Sequence, residues 1–311
     1  MIIALASFAL VLLAAPALSV RLGRRVHPAD WTRWSFGSLV AGAVAAEAAL
    51  VLVALPTVLR AVGAHALVAA CARMTGSLMP GGPIVGWSIA ATSVLLPVGF
   101  VVGAEDVRRI NRSVAACVSG AVPVRIGGHD VVLVPLDDVV ALTVGGDRRV
   151  IVVSDGMRRA LTADQLEAVV RHEASHRTHG HDRYLAVLAG LDRAFVLLAF
   201  VRRSTAVVRC GVERWADEDA AASHPDGRRI VRDALVSAVF APTPLGVAAF
   251  GAVATIAERA AALQAPIQIS TARRRTLIVG LSVLMLMAAG TAAAGGTHLW
   301  RVLIMPPFCT H

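Results

Sequence analysis

Long apolar runs occupy the N-terminal third and the C-terminal end of this chain. They cover, in order, residues 1–20, 35–59, 83–104 and 276–299. Each run is close to the ~20 residues that a helix needs to cross the hydrocarbon core of a bilayer, so we predict four membrane-spanning helices. A fifth apolar stretch, residues 184–201, is shorter and contains Asp192 and Arg193. We expect it to lie along the membrane surface or inside a protein core.

A different pattern fills residues 105–275, between the third and fourth apolar runs. Three valine-rich segments lie there, at residues 131–134, 139–144 and 150–153. Turn-forming proline, aspartate and glycine residues separate them, which predicts a small meander or a pair of hairpins. Residues 228–240 and 255–263 are predicted to be helices, with prolines as breakers near them.

The change of pattern divides the chain into three predicted parts. Residues 1–104 contain three spans, residues 105–275 form a folded domain, and residues 276–311 contain the last span and a short tail. We therefore expect a mostly α, multi-span membrane protein with about four transmembrane helices. An α+β domain is inserted between spans 3 and 4.

A helix is predicted to begin after Thr162. The Thr162 hydroxyl can cap the first turn, Gln165 completes a capping box, and Asp164 interacts favourably with the helix dipole. Leu166, Val169 and Val170 then form its buried stripe.

This helix carries His172, Glu173 and His176 as an H-E-x-x-H motif. Residues four apart lie on one helix face, so the two imidazoles can bind one zinc ion. Zinc lowers the pKa of a bound water, and Glu173 can act as the general base that takes its proton and passes it to the leaving amine. The motif predicts a zinc metalloendopeptidase with one Zn²⁺ per chain. The alternative is a chance pair of histidines on a surface helix.

A catalytic zinc needs a third protein ligand, and Glu213 is the best candidate. Glu213 and Asp217 are also four residues apart. On a helix, Glu213 can bind the metal while Asp217 accepts a hydrogen bond from the far nitrogen of a ligating histidine and fixes its tautomer. The alternative is an acidic, solvated helix face, because Glu218 and Asp219 follow directly.

Together, residues 151–156, 161–176 and 213–217 resemble the integral-membrane gluzincin peptidases, over roughly residues 105–265. The resemblance implies a zincin-like protease domain. Two branches share these motifs. The BlaR/MecR-like branch is a β-lactam-sensor type whose cytoplasmic zinc domain inactivates a transcriptional repressor, and the Ste24/HtpX-like branch acts on prenylated or damaged membrane proteins. We expect no C-terminal sensor domain of the first branch after the fourth span.

Four further residues are candidates for accessory roles. His179 and His181 follow the motif where the HtpX-like branch typically has an Asn-Gly-Asp ending. They can support the ligands, bind metal themselves, or be solvated residues favoured by the helix dipole. His224 and Tyr184, the single tyrosine, are candidates for stabilising a transition-state oxyanion.

Composition and charge place the protein in a membrane. The chain is 56% hydrophobic and only 16% charged, against about one quarter charged in soluble domains. All thirty basic residues are arginines. Four of them lie in residues 21–34, Arg73 is alone in residues 61–82, and many lie in residues 105–275. The positive-inside rule then predicts a cytoplasmic protease domain, extracytoplasmic termini and a multi-pass protein of the cell membrane.

The net charge of +9 is better explained by anionic lipid headgroups than by nucleic acid, because the arginines are dispersed around apolar segments. Cys71 and Cys309 would both lie outside the cell, which allows a disulfide between them. Glu47, a carboxylate inside the second span, is a functional candidate, although it can also snorkel or pair with a polar neighbour.

These observations predict a membrane-embedded zinc endopeptidase. The preferred substrate is a cytoplasmic winged-helix repressor of the BlaI type. The alternatives are a quality-control protease of the Ste24/HtpX type and a metal-domain receptor or scaffold without turnover. The predicted partners are a protein substrate, the lipid bilayer and a second copy of the chain as a homodimer, with no direct nucleic-acid binding.

Overall fold

A computed structural model describes residues 2–68, 82–118, 120–144, 150–240, 250–264 and 280. Apart from residue 280, the predicted fourth span, residues 276–299, lies outside the described residues, as do Cys71 and Cys309.

The N-terminal third consists of helices. They are α1 (Ile2–Leu18), α2 (Val20–Gly23), α3 (Pro28–Ala61) and α4 (Gly82–Cys117). Within the described residues, α3 and α4 are long and apolar enough to cross a membrane, whereas α1, with 17 residues, is a shorter apolar helix. The structure therefore provides two candidate spans, and the predicted count of four is not confirmed.

Small residues allow α1 and α3 to pack closely. A Cβ atom on Gly42 would lie 2.9 Å from Cγ of Leu13. Nearby, the buried Ser38 hydroxyl donates a 2.7 Å hydrogen bond to the Leu12 carbonyl. Such close backbone contact replaces the hydrophobic driving force that apolar helices lack in lipid.

A four-stranded sheet opens the folded domain. Its strands are β1 (Val124–Ile126), β2 (His129–Val134), β3 (Ala141–Val144) and β4 (Val150–Ser154), in the order β1-β2-β4-β3. The β1–β2 and β3–β4 pairs are antiparallel, while β2 and β4 are parallel. Of the predicted segments, 139–144 and 150–153 form a hairpin, β3–β4, whereas 131–134 forms a hairpin with β1 and pairs parallel to β4. The alternative meander is wrong because β4 inserts between β2 and β3. The short, exposed strand β1 was not predicted.

Helices form the remainder of the domain. They are α5 (Asp155–Ala160), α6 (Ala163–His179), α7 (His181–Ala194), α8 (Ala199–Ala221), α9 (Gly227–Phe240) and α10 (Phe250–Gln264). The capping box at the start of α6 forms as predicted, with both hydrogen bonds between Thr162 and Gln165 present. At its other end, Gly180 adopts a left-handed conformation with φ 64°, which ends α6 and lets α7 begin at the next residue.

The apolar stretch 184–201 is not one helix. It covers most of α7, a turn, and the beginning of α8. Its buried residues Leu188 and Leu191 share a hydrophobic core with Leu13 and Leu39 from the N-terminal helices. Of the two predicted locations, the stretch therefore lies inside a protein core. Through this core, the folded domain and the apolar N-terminal helices are packed as one unit.

We expect Thr162→Ala to destabilise the protein by about 1 kcal/mol, because the N-cap hydroxyl satisfies a backbone N–H in the first turn of α6. Thermal unfolding of the detergent-purified chain measures this change. Thr162→Ser keeps the hydroxyl and serves as the control. An equal loss of stability in both variants would contradict the assigned cap.

Candidate metal centre

Two helices bring three metal-binding side chains together. On α6, the Nε2 atoms of His172 and His176 lie 3.0 Å apart. On α8, the carboxylate of Glu213 lies 3.5 Å from Nε2 of His172 and 3.7 Å from Nε2 of His176. One turn of α6 and one residue of α8 therefore face a common point.

The three side chains fit a divalent metal ion. Their ligand atoms all lie within 4.8 Å of one another. Tetrahedral zinc with bonds of 2.0–2.2 Å would hold its ligand atoms roughly 3.3–3.5 Å apart, and the observed separations of 3.0–3.7 Å bracket that value. Two imidazoles and one carboxylate form a donor set that suits catalytic zinc and leaves a fourth position open.

Asp217 lies next to the His172 ring, the position that the helical spacing predicted for it. Its Oδ1 atom is 3.0 Å from Nδ1 of His172, and its side chain is 2% exposed. Burial disfavours the charged imidazole, but hydrogen bonds to Asp217 and Glu213 outweigh burial and raise the pKa of His172 to about 10. Asp217 holds the proton on Nδ1, so the binding of a metal ion would displace only the second proton, on Nε2, which faces the candidate metal position.

Arg259 is a buried member of the site that the sequence analysis missed. It comes from α10, and its guanidinium donates two hydrogen bonds, of 2.8 and 2.7 Å, to the Asp217 carboxylate. Its Nη1 atom also lies 3.1 Å from Glu213. Burial raises the pKa of Asp217, but Arg259 and His172 outweigh it and hold that pKa below its usual range. No motif spacing links Arg259 to Glu213. The sequence signal for its burial is weak and consists of the alanines that follow Arg259.

Glu173 is a buried carboxyl group beside the ligands. Its backbone carbonyl accepts a 2.6 Å hydrogen bond from the Thr143 hydroxyl of β3, which ties α6 to the edge of the sheet. Burial raises the pKa of Glu173, while His172 and Thr143 act in the opposite direction. A carboxyl group with a raised pKa is well suited to exchange protons near neutral pH.

His181 contacts the second histidine of the motif. The Nδ1 atoms of His181 and His176 lie 2.9 Å apart, so one ring donates and the other accepts. Burial and neighbouring imidazoles lower the pKa of His176 to about 4 and that of His181 to about 3. Both rings are therefore neutral at neutral pH, as metal ligation by His176 requires.

The other histidine after the motif, His179, does not contact the metal-binding set. Its Nε2 atom lies 2.9 Å from Asp219, which also accepts a 2.6 Å hydrogen bond from Ser175. The His179 ring packs on Trp215, with 4.4 Å between ring centroids. His179 thus connects α6 to α8 on the side of the ligands that faces Trp215.

The remaining predicted accessory residues lie farther away. Tyr184 packs against Phe36 of α3, and its ring centroid is 6.0 Å from that of His181, not beside the ligands. His224 lies in the exposed turn after α8, where its ring accepts a 3.0 Å hydrogen bond from the backbone N–H of Asp226. The structure brings neither side chain into contact with the metal-binding set.

Comparison with known protein families agrees with this geometry. The profile of peptidase family M48 matches residues 105–276, more than half of the 311-residue chain. The chain therefore belongs to peptidase family M48. Membership implies a zinc metallopeptidase, and the two long apolar helices indicate that it is associated with a membrane. The family covers both Ste24/HtpX-like and BlaR-like enzymes. No curated protein and no solved structure matches the chain.

We expect the detergent-purified chain to contain about one zinc per molecule and Glu213→Ala to lose most of it, because two imidazoles alone hold zinc weakly. Metal analysis after gel filtration measures both. Glu218→Ala, a change on the same helix outside the ligand set, should keep its zinc. Equal zinc in the wild type and Glu213→Ala would show that Glu213 is not a ligand.

We expect Arg259→Met to weaken zinc binding by roughly 10–100-fold, because it removes the partner that holds Asp217 and Glu213 in place. Competition with a chromogenic zinc chelator measures the affinity. Arg259→Lys keeps the charge and should lose less. Arg24→Met breaks only an exposed pair with Glu258 and is the control. Unchanged affinity in both Arg259 variants would rule out this role.

Proposed function

We propose that the protein is a membrane-embedded zinc endopeptidase that cleaves a cytoplasmic or membrane protein. The observation that carries the proposal is the convergence of His172, His176 and Glu213, with the buried Glu173 next to the first ligand. A metal domain used only as a scaffold would have no need of that carboxyl group.

The chain's own residues divide the work of peptide hydrolysis. Zinc, when bound, supplies a Lewis acid that activates water and polarises the scissile carbonyl. Glu173 accepts the proton of the attacking water and passes it to the leaving amine. Asp217 and His181 hold the imidazoles of His172 and His176 in orientation. Arg259 keeps the two buried carboxylates charged and in place.

Strand β3 offers a surface for an extended substrate. Among the described residues it pairs on one side only, with β4, so its other edge has backbone groups free for pairing. Thr143 in β3 is hydrogen-bonded to the backbone of Glu173, which places this edge directly beside the ligand helix. A substrate strand added to β3 would therefore lie across the metal centre, held by main-chain hydrogen bonds.

The preferred substrate is a winged-helix repressor in the cytoplasm. Its support comes from the resemblance to the BlaR/MecR-like branch and from the distribution of arginines. These lie in residues 21–34 and throughout residues 105–275, which favours a cytoplasmic protease domain under the positive-inside rule.

We expect Glu173→Gln to reduce cleavage by roughly 10²-fold or more while retaining zinc, because the amide cannot accept the proton. The probes are fluorescent β-casein and a purified winged-helix repressor of the BlaI type, both offered to the zinc-loaded chain in nanodiscs. Glu167→Gln, on the same helix and paired with Arg171, should cleave normally. Full activity in Glu173→Gln, or no cleavage of either probe by the wild type, would overturn the peptidase assignment.

The same assay separates the two proteolytic roles. Cleavage of the folded repressor at one bond, with β-casein cut poorly, would support the regulatory role. Preferred cleavage of unfolded β-casein, with the repressor left intact, would replace it with quality control.

A further inference from the structure

A cavity of about 470 Å³ lies between α3, α4 and α7, apart from the metal-binding side chains. Its walls are almost entirely apolar and include Phe36 and Val44 of α3, Phe100 of α4, Leu191 of α7, and Phe195 directly after α7. This volume falls in the range of roughly 300–1,000 Å³ that is usual for small-molecule sites, which combine apolar walls with few polar groups.

Glu47 supplies the single charged side chain of this lining. Its Oε2 atom is buried and has no hydrogen-bond partner among the described residues. A carboxylate oxygen that is buried without a partner is unfavourable unless a hydrogen-bond donor or a cation compensates it. A carboxylate inside a membrane helix is therefore a strong indication of a ligand or a charged partner.

The cavity opens on the surface that the spans present to lipid. Val44 lines it and is 64% exposed, and the neighbouring Val94, Leu95 and Val98 of α4 are also exposed. A molecule can therefore enter from the bilayer with its apolar part leading. The lining contains no arginine, so an anionic headgroup would meet only the like charge of Glu47.

We infer that this cavity binds a single-chain cationic amphiphile, with its hydrocarbon chain between α3, α4 and α7 and its ammonium group against Glu47. The apolar walls match the chain, and the ammonium group supplies the missing partner of the carboxylate. Because α7 forms one wall and begins at His181, which contacts the ligand His176, the occupied cavity adjoins an element that supports the metal centre.

Photolabelling of the full chain in phosphatidylcholine nanodiscs tests the inference. The probe is octadecylamine with a diazirine in its chain, and the comparison probe is the fatty acid with the same chain and diazirine. Three variants are compared with the wild type: Glu47→Gln removes the charge, Ala43→Phe fills the cavity, and Val98→Phe enlarges a side chain on the lipid-facing side of α4. Gel filtration and circular dichroism establish that each variant is folded.

The expected result is amine label on cavity-lining residues of α3, α4 and α7, displaced by unlabelled octadecylamine. Glu47→Gln and Ala43→Phe should each reduce it roughly tenfold, and Val98→Phe should leave it unchanged. Equal labelling by the fatty acid, label spread evenly over exposed residues of α4, or a cavity signal that Glu47→Gln does not change would overturn the inference. Absence of label from the cavity in the wild type would do the same.

Discussion

Buried charge at the junction of α6, α8 and α10 is the constraint on which the rest of this structure depends. Glu173 and Asp217 are buried acidic groups at this junction, and the partly exposed Glu213 shares the partners His172 and Arg259 with Asp217. Such a group is tolerated only with compensating partners. The His172 imidazole and the Arg259 guanidinium provide them within the chain. The helix α10 must therefore dock on α8 for the ligand set to hold its geometry.

The metal centre also depends on helices that the sequence assigns to the membrane. The fully buried Leu188 of α7 packs in a core with Leu13 of α1 and Leu39 of α3. Closer to the site, the Arg33 guanidinium of α3 lies 4.4 Å from the ring centroid of Trp215, which in turn contacts His179 and His181. The apolar N-terminal helices thus complete the core of the domain and contact residues next to the ligands, so removing them would expose part of the protease core.

Support for the two histidine ligands is asymmetric. His172 is held by a carboxylate that is itself held by Arg259, whereas His176 is held by the neutral ring of His181. A carboxylate partner makes an imidazole a stronger donor to metal than a neutral partner does. The imidazoles of His172 and His176 therefore differ in basicity, although they lie one turn apart on the same helix.

Short-range rules account for what the sequence determined by itself. The two residues of a capping box lie three positions apart, and the two histidines and the two acids of the site each lie four apart. Helical geometry alone therefore places Thr162 with Gln165 and His172 with His176. The valine-rich segments likewise indicated strands, and two of them, β3 and β4, pair as a hairpin. These features follow from backbone periodicity, which needs no knowledge of distant residues.

The tertiary structure decided everything that joins residues far apart in the chain. Arg259 reaches Asp217 across 42 positions, β4 inserts between β2 and β3, and the stretch 184–201 turns from α7 into α8 over a shared core. Glu47 comes to line a cavity whose far wall belongs to α7. Each of these arrangements depends on which distant surfaces pack together and exclude water. The local spacing of residues in the sequence does not specify that packing.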